Sequence, residues 1–245
     1  MQKILSYPLS VIYYFGFGLL LCIFHPIQWF CLNIFGYQAH KKSVDYMNLC
    51  LIRFTHILGT TYKIENRHLA PKGVPVIIVA NHQSLYDIPP LIWFLRKLHP
   101  KFISKKELGK GIPSVSYNLR HGGSVLIDRK DPKQSLPEIK KVAQYIEKYN
   151  RSVVIFPEGT RSRSGVPKRF SQNGLKMLYK YAPSAYVLPV TINNSWKMVK
   201  WGGFPMGLGS RLVFTIHKPL KVSDYSFEEL FERTEKTVIS FINIQ

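Results

Sequence analysis

The chain has 245 residues, 46% of them hydrophobic and 20% charged, a composition that excludes a disordered polymer and allows one sizeable core. Thirty-four Lys and Arg against 14 Asp and Glu leave a formal charge of +20, which points to nucleic acid, an anionic membrane face or phosphorylated substrates as partners. Cys22, Cys31 and Cys50 all lie near the N-terminus; their odd number and apolar surroundings exclude a disulfide framework and fit a reducing compartment.

From Ile4 to Ala39 no Lys, Arg, Asp or Glu occurs. Pro8 suits the first turn of a helix and Pro26 its end, so the pattern predicts a helix over 8–25. Such a helix is about 27 Å long, close to the roughly 30 Å of a bilayer's hydrocarbon core. A second apolar stretch, 27–36, is too short to cross alone, and Gly16 and Gly18 would let the two helices pack closely. A cleaved signal peptide is disfavoured, because Lys3 is the only early positive charge and no small-residue cleavage site follows. A buried soluble helix pair would need a large apolar partner surface. The reading is a membrane anchor over 1–40, as a span or a shallow hairpin, followed by an α/β domain over 41–245. Lys41, Lys42 and the basic remainder put that domain on the cytoplasmic face of the cell membrane.

Beyond the anchor, apolar positions at spacings of three or four predict an amphipathic helix over 42–58. Strands are expected at 61–65, 74–80, 101–104, 124–127, 152–156, 186–192 and 211–217. Helices are expected at 89–98, 134–149, 172–182 and 227–242. Continuous apolar strands alternating with helices predict a mostly parallel central sheet flanked by helices on both faces.

Polar clusters follow four of the strands: Asn81 to Asp87, Lys105 to Glu107, Asp128-Arg129, and Pro157 to Ser162. In a parallel sheet these strand ends share one edge, where open α/β folds bind ligands. His82 and Asp87, with four residues between them, could form a general base: the carboxylate fixes the imidazole tautomer, and the other ring nitrogen takes a proton from a hydroxyl. His40 and Asp45 repeat the spacing but follow no predicted strand, and read as solvated surface with the two residues unpaired. Arg161 offers a planar fork for a phosphate, and Gly159 lets the backbone approach a ligand closely. Glu158 either accepts a hydrogen bond from a substrate hydroxyl or pairs with Arg161 and shapes the loop. Lys105, Lys106 and Arg129 are candidates for a second phosphate contact, or else a solvated basic face. Arg161-Ser162-Arg163, with Lys168 and Arg169, reads as a lipid-facing charge patch, and Trp201 to Met206 as a loop that dips into the interface or simply covers the surface. There is no serine-hydrolase elbow, no dinucleotide fingerprint, no phosphate loop and no zinc spacing.

Taken together, these blocks resemble the 1-acyl-sn-glycerol-3-phosphate acyltransferases of the glycerolipid acyltransferase family. The His-Asp block resembles His82 to Asp87, the second block Lys105 to Leu108 through Ile127-Asp128-Arg129, and the third is present unchanged as Phe-Pro-Glu-Gly-Thr-Arg-Ser at 156–162. A fourth resembles Val187-Leu188-Pro189-Val190. Two positions depart from the pattern: Phe170-Ser171-Gln172-Asn173-Gly174 after the third block, and Ser116 in the second. The resemblance implies transfer of an acyl chain from a thioester, carried by acyl-CoA or an acyl carrier protein, to the sn-2 hydroxyl of lysophosphatidate. It implies His82 as base oriented by Asp87; Glu158, Gly159, Thr160 and Arg161 on the acceptor, with Lys105 assisting; no acyl-enzyme, no cofactor and no metal. Another lysolipid acceptor keeps the same chemistry. A non-catalytic protein that binds nucleic acid or anionic membranes is the remaining alternative, disfavoured because the basic residues are dispersed and no nucleic-acid signature is present.

Overall fold

A computed structural model describes residues 2–243. The β-branched and apolar runs form eight strands: β1 Thr61–Glu65, β2 Val76–Ala80, β3 Pro100–Lys105, β4 Val125–Ile127, β5 Ser152–Ile155, β6 Tyr186–Asn193, β7 Arg211–Ile216 and β8 Leu220–Lys221. They make one sheet in the order β1-β7-β6-β2-β5-β3-β4, with β8 also on β6. Pairing is parallel except where β6 meets β7 and β8. The expected mostly parallel sheet is therefore present.

Side-chain alternation on the central strand feeds both faces. Val76, Ile78 and Ala80 enter a core built with Val44, Leu91 and Ile92, whereas Ile77 and Val79 face Ile139, Ile146, Leu175 and Leu230. The first face is covered by α2 (Tyr37–Phe54) and α3 (Ile88–Phe94), the second by α5 (Pro132–Tyr149), α6 (Gln172–Tyr181) and α7 (Phe227–Ser240). Local chemistry sets the helix starts: Asp131 accepts from the Lys133 and Gln134 N–H groups, and Ser226 from that of Glu229, each satisfying a donor that a first turn leaves unpaired.

Several boundaries differ from the sequence reading. The helix expected over 42–58 begins earlier, at Tyr37, and tightens to a 3₁₀ turn over Thr55–Leu58; the one expected over 89–98 yields to a 3₁₀ turn at Arg96–Leu98. A short helix, α4 (Val115–His121), was not expected. Ser116 at its start accepts from the Ile112 N–H and donates to the Leu108 carbonyl, so the hydroxyl of this departure from the family pattern ties the preceding loop down.

The larger correction is at the N-terminus. Instead of two helices broken at Pro26, one α-helix, α1, runs from Gln2 to Phe35 through both Pro8 and Pro26. A single proline removes one intrahelical bond and kinks a helix more readily than it ends one when apolar surroundings offer the backbone no other partner. The chain turns instead at Gly36, and α2 folds back along α1. Gly16 is the point of close approach: a Cβ there would overlap the ring of Phe54, which stacks on Tyr13. Gly18 faces open space and has no part in the packing.

The same helix pair overturns the reading of His40 and Asp45 as solvated surface. Both are buried, at 1% and 6% exposure, and Asp45 forms an ion pair with Lys41. Five residues on an α-helix turn through about 500°, leaving two side chains roughly 140° apart, so these two do not face each other.

Replacing Gly16 by Leu forces the Phe54 ring out of its place and should lower unfolding stability by about 1–3 kcal/mol. Gly18→Ala, pointing into open space, should be neutral or slightly stabilising. Denaturant titration of both variants in the same detergent checks the contrast.

Candidate active site

The strand ends that carry the polar clusters gather on one edge of the sheet. β2 ends at Ala80, and Asn81 locks the chain that follows to β6: its amide donates to the Ile192 carbonyl at 2.8 Å while its Oδ1 accepts from the Ile192 N–H at 2.7 Å. The backbone then passes through His82 and Gln83 to Ser84, which starts a 3₁₀ turn over Leu85–Asp87 and caps it. This tight turn, unlike a continuous helix, folds Asp87 back onto His82. The imidazole Nδ1 lies 2.7 Å from Asp87 Oδ2.

Asp87 is fully buried and saturated with donors. Oδ2 also accepts from the backbone N–H groups of Gln83 (2.7 Å) and Ser84 (3.0 Å), and Oδ1 accepts from the Ser195 hydroxyl. Gln83 Oε1 accepts from the Ser195 N–H at 3.1 Å. A carboxylate held at four points cannot rotate away from the ring it orients. The other face of the His82 ring is fixed by Phe156, parallel to it at 4.1 Å between centroids. With Nδ1–H given to Asp87, Nε2 is the nitrogen left to accept a proton.

The loop after β5 is fastened to the same segment. Glu158 Oε1 accepts from the His82 N–H at 2.7 Å, its Oε2 accepts from the Lys168 N–H at 3.0 Å, and the Ser162 N–H donates to the His82 carbonyl at 2.7 Å. Burial pushes the Glu158 carboxyl above the usual carboxylate range, and the two N–H donors partly offset this. Glu158 thus shapes the loop through backbone donors, with no ion pair to Arg161 among the described residues. Gly159 sits at φ +68°, a left-handed conformation that disfavours any residue with a Cβ. Its carbonyl accepts from Arg129 Nη1.

Arg161 stands one residue before Ser162 and so directly beside the His82 backbone. Thr160 and Arg161 are both exposed, and among the described residues the Arg161 guanidinium has no hydrogen-bonded or ionic protein partner. Arg129 is held below its ordinary pKa first by burial and next by the Arg161 charge nearby, with Glu107 opposing. Two guanidinium groups close enough to repel each other favour an anion near them, with Glu107 offsetting part of that charge. Lys105 ends β3 opposite Ile127 of β4, one strand over from Arg129, and is exposed. It shares the edge and, among the described residues, makes no side-chain hydrogen bond or ion pair with the other site residues. In the proposed charge patch Arg163, Lys168 and Arg169 are exposed, but Ser162 is buried.

Sequence reasoning missed Ser195, Gln83 as its partner, and the ring contact from Phe156. Ser195 lies 108 residues from Asp87, beyond any local spacing; its one signal is a position just past the end of a buried strand. No group of three or more His, Cys, Asp or Glu fit to hold a metal occurs among the described residues.

A family model described as Acyltransferase matches residues 61–193, a span that contains both fastened loops. The chain is 34% identical over 169 residues to the 1-acyl-sn-glycerol-3-phosphate acyltransferase of Helicobacter pylori, covering 65% of this chain and 67% of that one. It is 30% identical over 193 residues to the enzyme of the same name from Borreliella burgdorferi, covering 78% and 75%. The crystal structure of the 1-acyl-sn-glycerophosphate acyltransferase PlsC from Thermotoga maritima superposes with a TM-score of 0.83 at 26% identity, over 99% of this chain and 96% of that one. With half the chain under the family model and nearly all of it on one solved relative, the protein belongs to the acyltransferase family.

Proposed function

We propose that the protein moves an acyl chain from a thioester donor, acyl-CoA or an acyl carrier protein, to the sn-2 hydroxyl of lysophosphatidate, forming phosphatidate. The observation that carries this reading is the pairing of a buried His-Asp dyad with an unpartnered guanidinium on a loop bonded to the histidine's own backbone. The acceptor's phosphate sits on Arg161, with Arg129 beside it and Lys105 at the rim. Its hydroxyl then lies at His82. Nε2 takes the hydroxyl proton as the oxygen attacks the thioester carbonyl; the carbon–sulfur bond breaks, and the departing thiolate takes that proton back from the imidazolium. No acyl-enzyme forms, because His82 serves as base and not as nucleophile. Asp87 orients the ring, and Glu158, with both oxygens occupied by backbone donors, positions the loop that carries Thr160 and Arg161.

Membrane contact follows from α1. Its apolar side chains Ile4, Leu5, Val11, Phe15, Leu19, Trp29, Ile34 and Phe35 are exposed, and it is the one described helix long and apolar enough to cross a bilayer. At 34 residues it is about 51 Å long. Yet it touches the catalytic domain from end to end. Gln2 donates to the Leu208 carbonyl, Tyr14 to that of Gly203, the Ser114 hydroxyl to that of Leu21, and Asn33 to the Tyr117 hydroxyl. An upright span would drag that domain into hydrocarbon. The helix instead lies in the plane of the interface with its outer face immersed, joined by exposed Phe204, whose ring meets that of Tyr7 at 5.6 Å. The net positive charge orients the domain to an anionic cytoplasmic face.

In a thiol-release assay, His82→Ala should lower kcat by roughly 10²–10⁴; unchanged turnover would remove the base from the mechanism. Arg161→Lys trades a bidentate fork for a point charge. It should raise the KM for lysophosphatidate while leaving that for the thioester near its original value, and an equal rise in both would contradict a phosphate role. Ile12→Asp with Phe15→Asp, on the outer face of α1, should abolish sedimentation with phosphatidylglycerol vesicles, whereas retention by the vesicles would locate the membrane contact elsewhere.

A further inference from the structure

A second cluster of cations lies at the opposite edge of the sheet, where β3 and β5 begin. Lys101, the second residue of β3, is 5% exposed. Its Nζ donates to the Tyr37 hydroxyl at 2.8 Å, and Tyr37 Oη is in turn 3.2 Å from His99 Nδ1. Among the described residues the ammonium has no other hydrogen-bond acceptor, so two of its three donors are unused. His40, 1% exposed, lines the same cleft, and its Nε2 has no partner. Buried polar atoms without partners are rare and costly, and here one such atom, His40 Nε2, shares a cleft with a buried ammonium that has a single acceptor.

The charge around them is one-sided. Lys41 from α2, Arg96 and His99 from the segment before β3, His121 from α4 and Arg151 before β5 all act on this cluster, and Asp45 is the single carboxylate. Asp45 is already taken by Lys41, while Arg151 stacks on the Tyr37 ring at 4.0 Å. The cleft holds about 20 Å³, room for one oxygen atom, and Lys41 and Pro100 in its lining are partly exposed. Tyr37 in its lining begins α2, just past the end of α1, where Ile34 and Phe35 are exposed.

We propose that this cleft binds a phosphate-type oxyanion, one oxygen on the floor between Lys101 and His40 and the remainder at the mouth beside Lys41. The site is distinct from the acceptor clamp, lying across the sheet from Arg161. The same chemistry admits two sources: free phosphate, or the headgroup of an anionic lipid whose chains lie along the apolar corner. Burial, with Arg151 and Lys41 adding to it, pushes Lys101 down to about 7, while Asp45 opposes. The cation is therefore half charged near pH 7, mostly present about one unit below and mostly lost about one unit above, and anion affinity falls as pH rises through that range.

The test uses the full chain in detergent carrying Arg161→Gln, which silences the acceptor clamp, with sodium phosphate as probe against sodium chloride at equal ionic strength. Phosphate should raise the melting temperature at pH 6.5 and do so less at pH 8.5. Lys101→Met should weaken the apparent affinity by about tenfold or more, the loss of one charge-assisted bond. Should Lys101→Met fail to fold, Lys41→Gln at the mouth makes the same comparison. Phosphatidate vesicles tested against phosphatidylcholine vesicles separate the sources: a Lys101-dependent response to the lipid alone identifies a headgroup site, and one to inorganic phosphate identifies a free-phosphate site. No response to either, or an equal response in the substituted chains, overturns the proposal.

Discussion

The buried carboxylate of Glu158 is the joint on which the catalytic edge depends. One oxygen accepts from the His82 backbone and the other from that of Lys168, so the loop after β5 is tied to a segment 76 residues before Glu158. Ser162 closes the joint from the other side by donating to the His82 carbonyl. Between these two contacts the chain carries Gly159, Thr160 and Arg161. His82 and Arg161, the proposed base and phosphate contact, therefore share one unit held together by backbone hydrogen bonds. Such preorganisation would serve the proposed transfer, which without a covalent intermediate gains its rate from placing alcohol, base and thioester together in one step.

Electrostatics on the two edges of the sheet follow the same rule with different outcomes. At the catalytic edge the dyad carboxylate is fully satisfied, leaving the unpaired guanidinium of Arg161 as the group that still needs a partner. At the opposite edge no carboxylate is free, and a buried ammonium and an imidazole face a small cleft. Both proposed sites are for an anion, which would give the excess of 20 positive charges two localised uses beyond a general attraction to membranes.

Much of the fold was legible in the sequence because buried parallel strands are continuous apolar runs, and seven of the eight strands lie at the expected places. The convergence of the polar clusters followed from the same inference, since strand ends in a parallel sheet share an edge. What escaped was set by distant partners. Two prolines predict helix ends, but α1 passes through both because its length is fastened to the domain by contacts up to 206 residues away. His40 and Asp45 read as surface because they follow no predicted strand; their burial in the fold is not visible in local pattern. Ser195 reaches Asp87 from the turn after β6, and Glu158 chose backbone donors over the arginine three residues on.

The central claim is that one headgroup bridges His82 and Arg161. It is tested most directly by a structure of the protein with lysophosphatidate and a non-transferable thioether analogue of the donor. The account predicts the sn-2 hydroxyl oxygen within about 3.2 Å of His82 Nε2 while phosphate oxygens lie on the Arg161 guanidinium. A headgroup bound with its phosphate away from Arg161, or with its hydroxyl out of reach of the imidazole, would contradict it.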